Sequence, residues 1–387
     1  MTRPVRILVI GQTPPPYHGQ ALMIERLVSA SYTRVKIDHL RMSFSATQGE
    51  VGRFAFHKIV ELVLLLIKAI VRLFRGYDLL YYPPAGPMLA PVLRDMALLP
   101  LLRLFGPPVV YHFRAGGVSE YLETFNRLFR FLARGAYGTP RAAIQLSVHN
   151  PSDGAWFRAR KTLIIPNGIE DIAGPLIRPV ISSTDPIRLL YVGLLCEEKG
   201  IFDLIEVMTL LLNLGVSACA TLVGSFDSVH TRDRFQERLA ASKAGMHVRL
   251  TGELTGNAKW EEFRNSDVLV FLTRYRAETF GNVVIEAMMC GLPVVANRWR
   301  GVQDIVLDGV TGFLVSPGEV SAAANHIQKM SENPSLAAEL GKAGRERFES
   351  KYTLKSHLRA MEDAFVEIAS MDDTPPNSPR ELRFVQR

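Results

Sequence analysis

The sequence predicts an α/β protein made of two parallel-sheet domains. Three observations carry that expectation. The chain has 387 residues, more than a single hydrophobic core usually organises. Short apolar runs alternate with helical patterns along most of its length, as parallel strands joined by crossover helices require. The pattern stops over residues 170–186, where Pro, Gly and Ser occur without periodicity, and then restarts, which marks a linker between two units of similar size.

The elements follow in order. Val5-Arg6-Ile7-Leu8-Val9-Ile10 is the nearly continuous apolar run of a strand buried on both faces. Gly11 ends it, a proline-rich loop leads to Gly19, and a helical pattern runs from Gln20 to Ala30. Leu79–Tyr82, Val109–His112 and Leu163–Pro166 read as further strands of a first domain spanning 1–175. In a second domain, 183–350, strands are expected at Ile187–Val192, Ala218–Val223, Val248–Leu250, Asp267–Leu272 and Pro293–Ala296. Helices are expected there at Ile201–Leu214 and Val283–Cys290, and Trp260-Glu261-Glu262 reads as a helix start. A last helix covers 354–369, and the tail 371–387 has the composition of a disordered segment.

Composition narrows the function classes. Hydrophobic residues make up 48% and charged residues 21%, near the globular average, which excludes a largely disordered chain. Cys196, Cys219 and Cys290 show no metal-ligand spacing, and an odd number argues against a disulfide framework. Val5–Ile10 is too short for a signal-peptide core, so a reducing cytoplasm is the expected compartment. Charge is uneven: residues 1–150 hold 18 Lys+Arg and 8 Asp+Glu, a net +10, whereas the remaining 237 hold 27 and 30, a net −3.

A basic first half needs an anionic neighbour or serves solubility. Ile59–Phe74 carries Glu61, Lys68 and Arg72, and Met88–Phe105 carries Arg94, Asp95 and Arg103 and is expected to break at Pro91 and Pro100. Neither reads as a membrane span. Two readings stay open for this region. It is either a basic face resting on anionic head groups, peripheral on the inner face of the plasma membrane, or a set of ordinary amphipathic helices packed on the sheet. No nucleic-acid partner is expected.

The segment richest in chemistry runs from Arg274 to Pro293. A strand leads into a loop with Glu278, then a glycine turn opens a helix near Asn282. The amides of Gly281, Asn282, Val283 and Val284, with the helix's positive pole, are suited to a diphosphate. Glu286, further into that helix, can accept from a vicinal diol such as a ribose.

Glu278 and Glu286, with seven residues between them and followed by Ala-Met-x-x-Gly-x-Pro-Val-Val, resemble the signature of glycosyltransferase family 4. Pro166-Asn167-Gly168-Ile169, the loop Tyr191–Gly200 with Gly193 and Lys199, the turn Asp308-Gly309-Val-Thr-Gly312, and Gly11 with Gly19 all resemble motifs of that family in the right order. The resemblance implies the GT-B architecture, two Rossmann-like domains facing a central cleft, with the helix over 354–369 crossing back onto the first. It implies a retaining, metal-independent enzyme that moves a sugar from a nucleoside diphosphate sugar to a glycan or lipid-linked acceptor, with no cofactor.

The same resemblance implies roles. Glu278 contacts the transferred sugar, Glu286 the ribose, and Lys199 the leaving phosphate. His112 lies against the donor sugar, and Leu254 lines the base pocket. Gly11, Gly19 and Arg114 belong to the acceptor side. The family usually has Arg or Asn after the loop glycine, where this chain has Leu194, so Arg274, Arg276 or Arg114 is expected to supply the missing charge. Two rivals belong to other classes: an NAD-dependent oxidoreductase, disfavoured because no G-x-G-x-x-G follows a strand, and a catalytically idle GT-B binding or scaffold protein. A nucleotide-sugar epimerase or a sucrose- or trehalose-type synthase would share the architecture.

Overall fold

The computed structural model describes residues 3–15, 19–42, 56–84, 86–173 and 185–372. Most of the expected linker and the tail beyond Asp372 lie outside the described residues. The chain forms two compact units, Met1–Asn167 with Lys355–Arg387, and Gly168–Leu354.

The first unit opens with β1 (Val5–Gly11), α1 (Gly19–Ser29), β2 (Val35–Arg41) and α2 (Phe56–Leu73). It continues with β3 (Leu79–Tyr82), α3 (Leu89–Phe105), β4 (Val109–Phe113), α4 (Val118–Glu123) and α5 (Arg127–Tyr137). It ends with β5 (Ala142–Gln145), α6 (Asp153–Trp156) and β6 (Thr162–Ile164). The six strands form one sheet in the order β2-β1-β3-β4-β5-β6, and every pairing is parallel.

Alternation along the strands separates two faces. Leu8, Ile10, Leu80, Tyr82 and Tyr111 pack against α2, α3 and α5. Ile7, Val9, Tyr81 and Val110 face α1 and the C-terminal helix (Leu354–Ala369), which buries Met361, Ala364, Phe365 and Ile368 there.

Two expectations need correction. The first unit ends at Asn167 rather than at 175. The reason is a local tie in the second unit: the Ile169 amide donates to the Tyr352 carbonyl (2.9 Å) and the Leu354 amide to the Ile169 carbonyl (2.7 Å). Residues 89–105 form one helix despite two prolines. Pro91 lies in its first turn, where an amide has no intrahelical acceptor, and Pro100 lies inside it on an exposed position.

The second unit contains β7 (Ile187–Val192), α7 (Ile201–Asn213), β8 (Ala218–Val223), α8 (Val229–Ala240), β9 (Val248–Gly252) and α9 (Gly256–Arg264). Then come β10 (Val268–Phe271), α10 (Asn282–Met289), β11 (Val294–Asn297), α11 (Val302–Ile305), β12 (Gly312–Val315), α12 (Val320–Glu332) and α13 (Pro334–Lys351). Trp260 lies within α9 rather than at its start.

The second sheet is again fully parallel, in the order β12-β11-β10-β7-β8-β9. From β7 the chain moves outward to β8 and β9, then returns to place β10 on the other side of β7. The loops after β7 and β10 therefore flank the point where strand order reverses, the position at which open α/β sheets bind ligands. Among the described residues, no helix is long and apolar enough to cross a membrane.

Candidate functional site

The loops after β7 and β10 are tied together, and the tie positions two charged side chains. The Arg274 amide donates to the Glu198 carbonyl (2.7 Å), and Gly200 sits against the end of β10. Gly200 has φ +81°, and a Cβ there would fall 2.3 Å from the Leu272 carbonyl oxygen, so only glycine lets the loops approach this closely. Trp299 donates its indole N–H to the Tyr275 carbonyl (3.0 Å), which steadies the second loop from the other side.

Within this frame Lys199 Nζ donates to Glu278 Oε2 at 3.1 Å, with both side chains largely buried. Burial alone would lower the Lys199 pKa, but the charge and hydrogen bond of Glu278 outweigh it and hold the ammonium above its ordinary range. The Tyr275 ring lies 5.4 Å from the same ammonium. The pair thus presents one fixed cation and one fixed carboxylate at the reversal point of the sheet.

The helix α10 starts directly after that loop. Gly281 precedes it at φ +84°, ψ +68°, a left-handed conformation that turns the chain into the helix. The Val284 amide already donates to the Gly281 carbonyl (2.9 Å), which corrects the expectation that it is open to a ligand. Gly281, Asn282 and Val283 form the turn and the first helical positions, where helical pairing supplies no acceptor for an amide. Glu286, on α10, accepts from Lys259 Nζ of α9 at 2.7 Å. Gly193 donates its amide to the Val223 carbonyl (2.9 Å), and Leu254 lies half-buried between β9 and α9.

Arg274 does not take the place expected for it. Its guanidinium donates to Asp203 on α7 at 2.7 Å, so it braces the loop against a helix rather than standing open to a phosphate. Arg276 is exposed.

The first unit holds its own cluster. Gly11 closes β1 tightly against α1, where a Cβ would lie 3.1 Å from the Ile24 side chain; Gly19 is the exposed first residue of that helix. Arg114 is buried and donates to the Asn167 side chain (3.0 Å) and the Tyr81 hydroxyl (3.2 Å), so its charge is engaged inside the unit.

His112 is fully buried within β4, its Nδ1 lies 2.9 Å from the Tyr81 hydroxyl, and its Nε2 has no hydrogen-bond partner. Burial, reinforced by the charges of Arg114 and His357, pushes its pKa well below the ordinary value. The ring is therefore neutral, and its Nε2 edge is the part that no protein group among the described residues meets.

The sequence reading missed Lys259, Asp203, Tyr81 and His357. None carries a local motif, and only the aromatic neighbour Trp260 singles out Lys259.

Residues 176–347 match the family model described as glycosyl transferases group 1. The capsular polysaccharide biosynthesis glycosyltransferase CapM of Staphylococcus aureus is 29% identical over 180 residues, 46% of this chain and 46% of that one. The chain thus matches less than half the length of that relative. HepE of Anabaena, solved with UDP, superposes with a TM-score of 0.72 over 94% of this chain and 100% of its own at 20% identity.

The fold is GT-B. The sucrose-phosphate synthase of Thermosynechococcus elongatus is similar to the same extent, with a TM-score of 0.70, coverage of 94% and 99%, and 20% identity. At that identity the two structures bear on the GT-B fold alone. Among the described residues, no group of three or more His, Cys, Asp or Glu is gathered as metal ligands would be.

Proposed function

We propose that this protein is a retaining glycosyltransferase of family 4 that moves a hexosyl-type sugar from a nucleoside diphosphate sugar to a glycan or lipid-linked glycan in cell-surface polysaccharide assembly. The observation that carries the reading is the Lys199–Glu278 pair at the reversal point of the second sheet, directly ahead of the N-terminus of α10. Departure of a nucleoside diphosphate develops negative charge. A preorganised ammonium and first-turn amides stabilise such charge without reorganising, so the transfer is metal-independent in this reading. Glu278 orients hydroxyls of the donor sugar, and Glu286 accepts from the ribose diol.

The group 1 match over 176–347 and the capsular relative support the donor class and the polysaccharide context. The basic first domain supports an acceptor at the inner face of an anionic membrane, with the protein cytoplasmic and peripheral.

The test is nucleotide release in EDTA with a panel of UDP-, GDP- and ADP-sugars and a bacterial lipid extract. Release with one donor, dependent on the extract and with the anomeric configuration kept, is the expected result. No release, together with no thermal stabilisation by any nucleotide, would overturn the reading in favour of an idle fold.

A further inference from the structure

The helices that cover one face of the first sheet have an outer surface that is apolar where a solvated helix is polar. On α2, Val60, Val63, Leu64, Ile67 and Val71 follow helical spacing and are exposed, while Leu65, Ala69 and Leu73 on its other side are buried in the core. Phe74, just past the end of α2, is 78% exposed. The neighbouring α3 packs against both α2 and α5. Its exposed positions from the second turn onward, Ala97, Pro100, Leu101, Leu104 and Phe105, are all apolar. On α5 the same holds for Leu128, Phe131 and Leu132. A helix on a solvated sheet needs one apolar stripe, and these three helices each carry a second. Side by side they make a largely apolar face edged by the exposed Lys68, Arg127 and Arg134, unlike scattered surface leucines.

The charge beside this face is predominantly positive. Together α2, α3 and α5 contain eight Lys/Arg and two Asp/Glu. One of the two acids, Asp95, is fully buried and bonded to Tyr82, Tyr137 and Arg94. Arg127, Arg130 and Arg134 form a stripe next to Leu128 and Phe131. There a cavity of about 550 Å³ opens, lined by these three arginines with Phe131, Trp156 and Arg158. The Arg134 guanidinium lies 4.3 Å from the Trp156 ring, whose N–H is held by Glu123 at 3.1 Å. Among the described residues, no acidic side chain lines the cavity.

We infer that this face docks on a bilayer containing anionic phospholipid. Lipid phosphates enter the arginine-lined cavity beside α5, and the outer side chains of α2, α3 and α5 sink into the head-group and acyl boundary. A bilayer rather than a second copy is the occupant because two such faces would bring arginines against arginines. Docking rests on the transferase reading only for its consequence, that a lipid-linked acceptor meets the first unit without leaving the membrane.

The test uses the full chain and vesicle flotation, with phosphatidylcholine alone and with added phosphatidylglycerol. Wild-type protein should partition at least about tenfold more strongly onto the anionic vesicles, and less as salt rises. The triple variant Ile67→Asp, Leu104→Asp, Phe131→Asp and the triple variant Arg127→Gln, Arg130→Gln, Arg134→Gln should each lose about tenfold or more of that binding. All six side chains are at least partly exposed, so melting temperatures should hold; if the apolar variant misfolds, the arginine variant decides.

No flotation of the wild type would overturn the proposal, as would unchanged binding of the folded variants. Conversion of a wild-type dimer to a monomer by the apolar variant would do so too, since it would assign the face to a second copy. Full competition by inorganic phosphate at the concentration of lipid phosphate would reduce the site to one for free anions. Nucleotide binding, measured in parallel, reports on the second unit separately, so failure here and failure of the transferase reading are told apart.

Discussion

Lys259 and Glu286 are joined by a 2.7 Å hydrogen bond in which only 20% and 16% of the side chains are exposed. Trp260 and Phe263 cover the ammonium at 4.7 and 5.8 Å from their ring centres. A carboxylate held this way offers one oxygen to the lysine, and in the proposed function the other meets the ribose diol. Lys259→Met should therefore weaken nucleoside diphosphate binding about tenfold, with turnover at saturating donor little changed and Lys259→Arg restoring much of the affinity. Calorimetric titration of the three proteins checks this; wild-type affinity in Lys259→Met would make the pair purely structural.

Arg274 faces Asp203, and that decides its expected behaviour. Arg274→Ala should leave donor affinity within about twofold while costing about 1 kcal/mol of stability, since the pair is partly exposed and links a loop to α7. A large loss of donor affinity without loss of melting temperature would return Arg274 to the phosphate.

Gly200 allows the loop after β7 to reach Leu272. Gly200→Ala requires a left-handed alanine and pushes a methyl group into a carbonyl, so it should cost about 2–4 kcal/mol and lower the melting temperature. The same change should reduce donor binding, because Lys199 is the preceding residue. Thermal melts with and without nucleotide separate the two effects.

His357 is buried on the C-terminal helix, its Nδ1 2.7 Å from the Pro166 carbonyl. Burial, with the charges of Arg114 and Arg26, pushes its pKa from 6.5 down to about 3, the Pro166 bond opposing. His112 shifts in the same direction. A histidine whose folded pKa is depressed supports stability above its unfolded value and loses that support as pH falls toward the folded one. Stability should fall below pH 6.5, by about 1.4 kcal/mol per pH unit for each such histidine. His357→Asn, which can still donate to Pro166, should flatten the slope; melts between neutral and mildly acid pH measure it.

What the sequence revealed follows burial. The doubly buried strands β1, β7, β10 and β11 stand out as apolar runs, and Glu278, Gly281 and Glu286 lie within one local motif. β2 (Val-Lys-Ile-Asp-His-Leu-Arg) was hidden because an edge strand alternates with charge, and β5 (Ala-Ala-Ile-Gln) because it has few β-branched residues. β12 was read only as the turn that precedes it.

Partners were harder to see than site residues. Lys199 and Glu278 are 79 positions apart, and Arg274 and Asp203 are 71 apart, so only the strand order brings them together. In a strand buried on both faces, no periodicity distinguishes a ring that faces a ligand from one that faces the core, so the burial of His112 was not legible in β4.

The central claim is that Lys199, fixed by Glu278, stabilises a departing nucleoside diphosphate. The most direct measurement is nucleotide release in EDTA at saturating donor, wild type against Lys199→Ala, alongside binding of the free nucleotide. The account predicts a fall in turnover of about a hundred- to a thousandfold, with a much smaller change in nucleotide affinity. Turnover within a few-fold of wild type in a folded Lys199→Ala protein would contradict it.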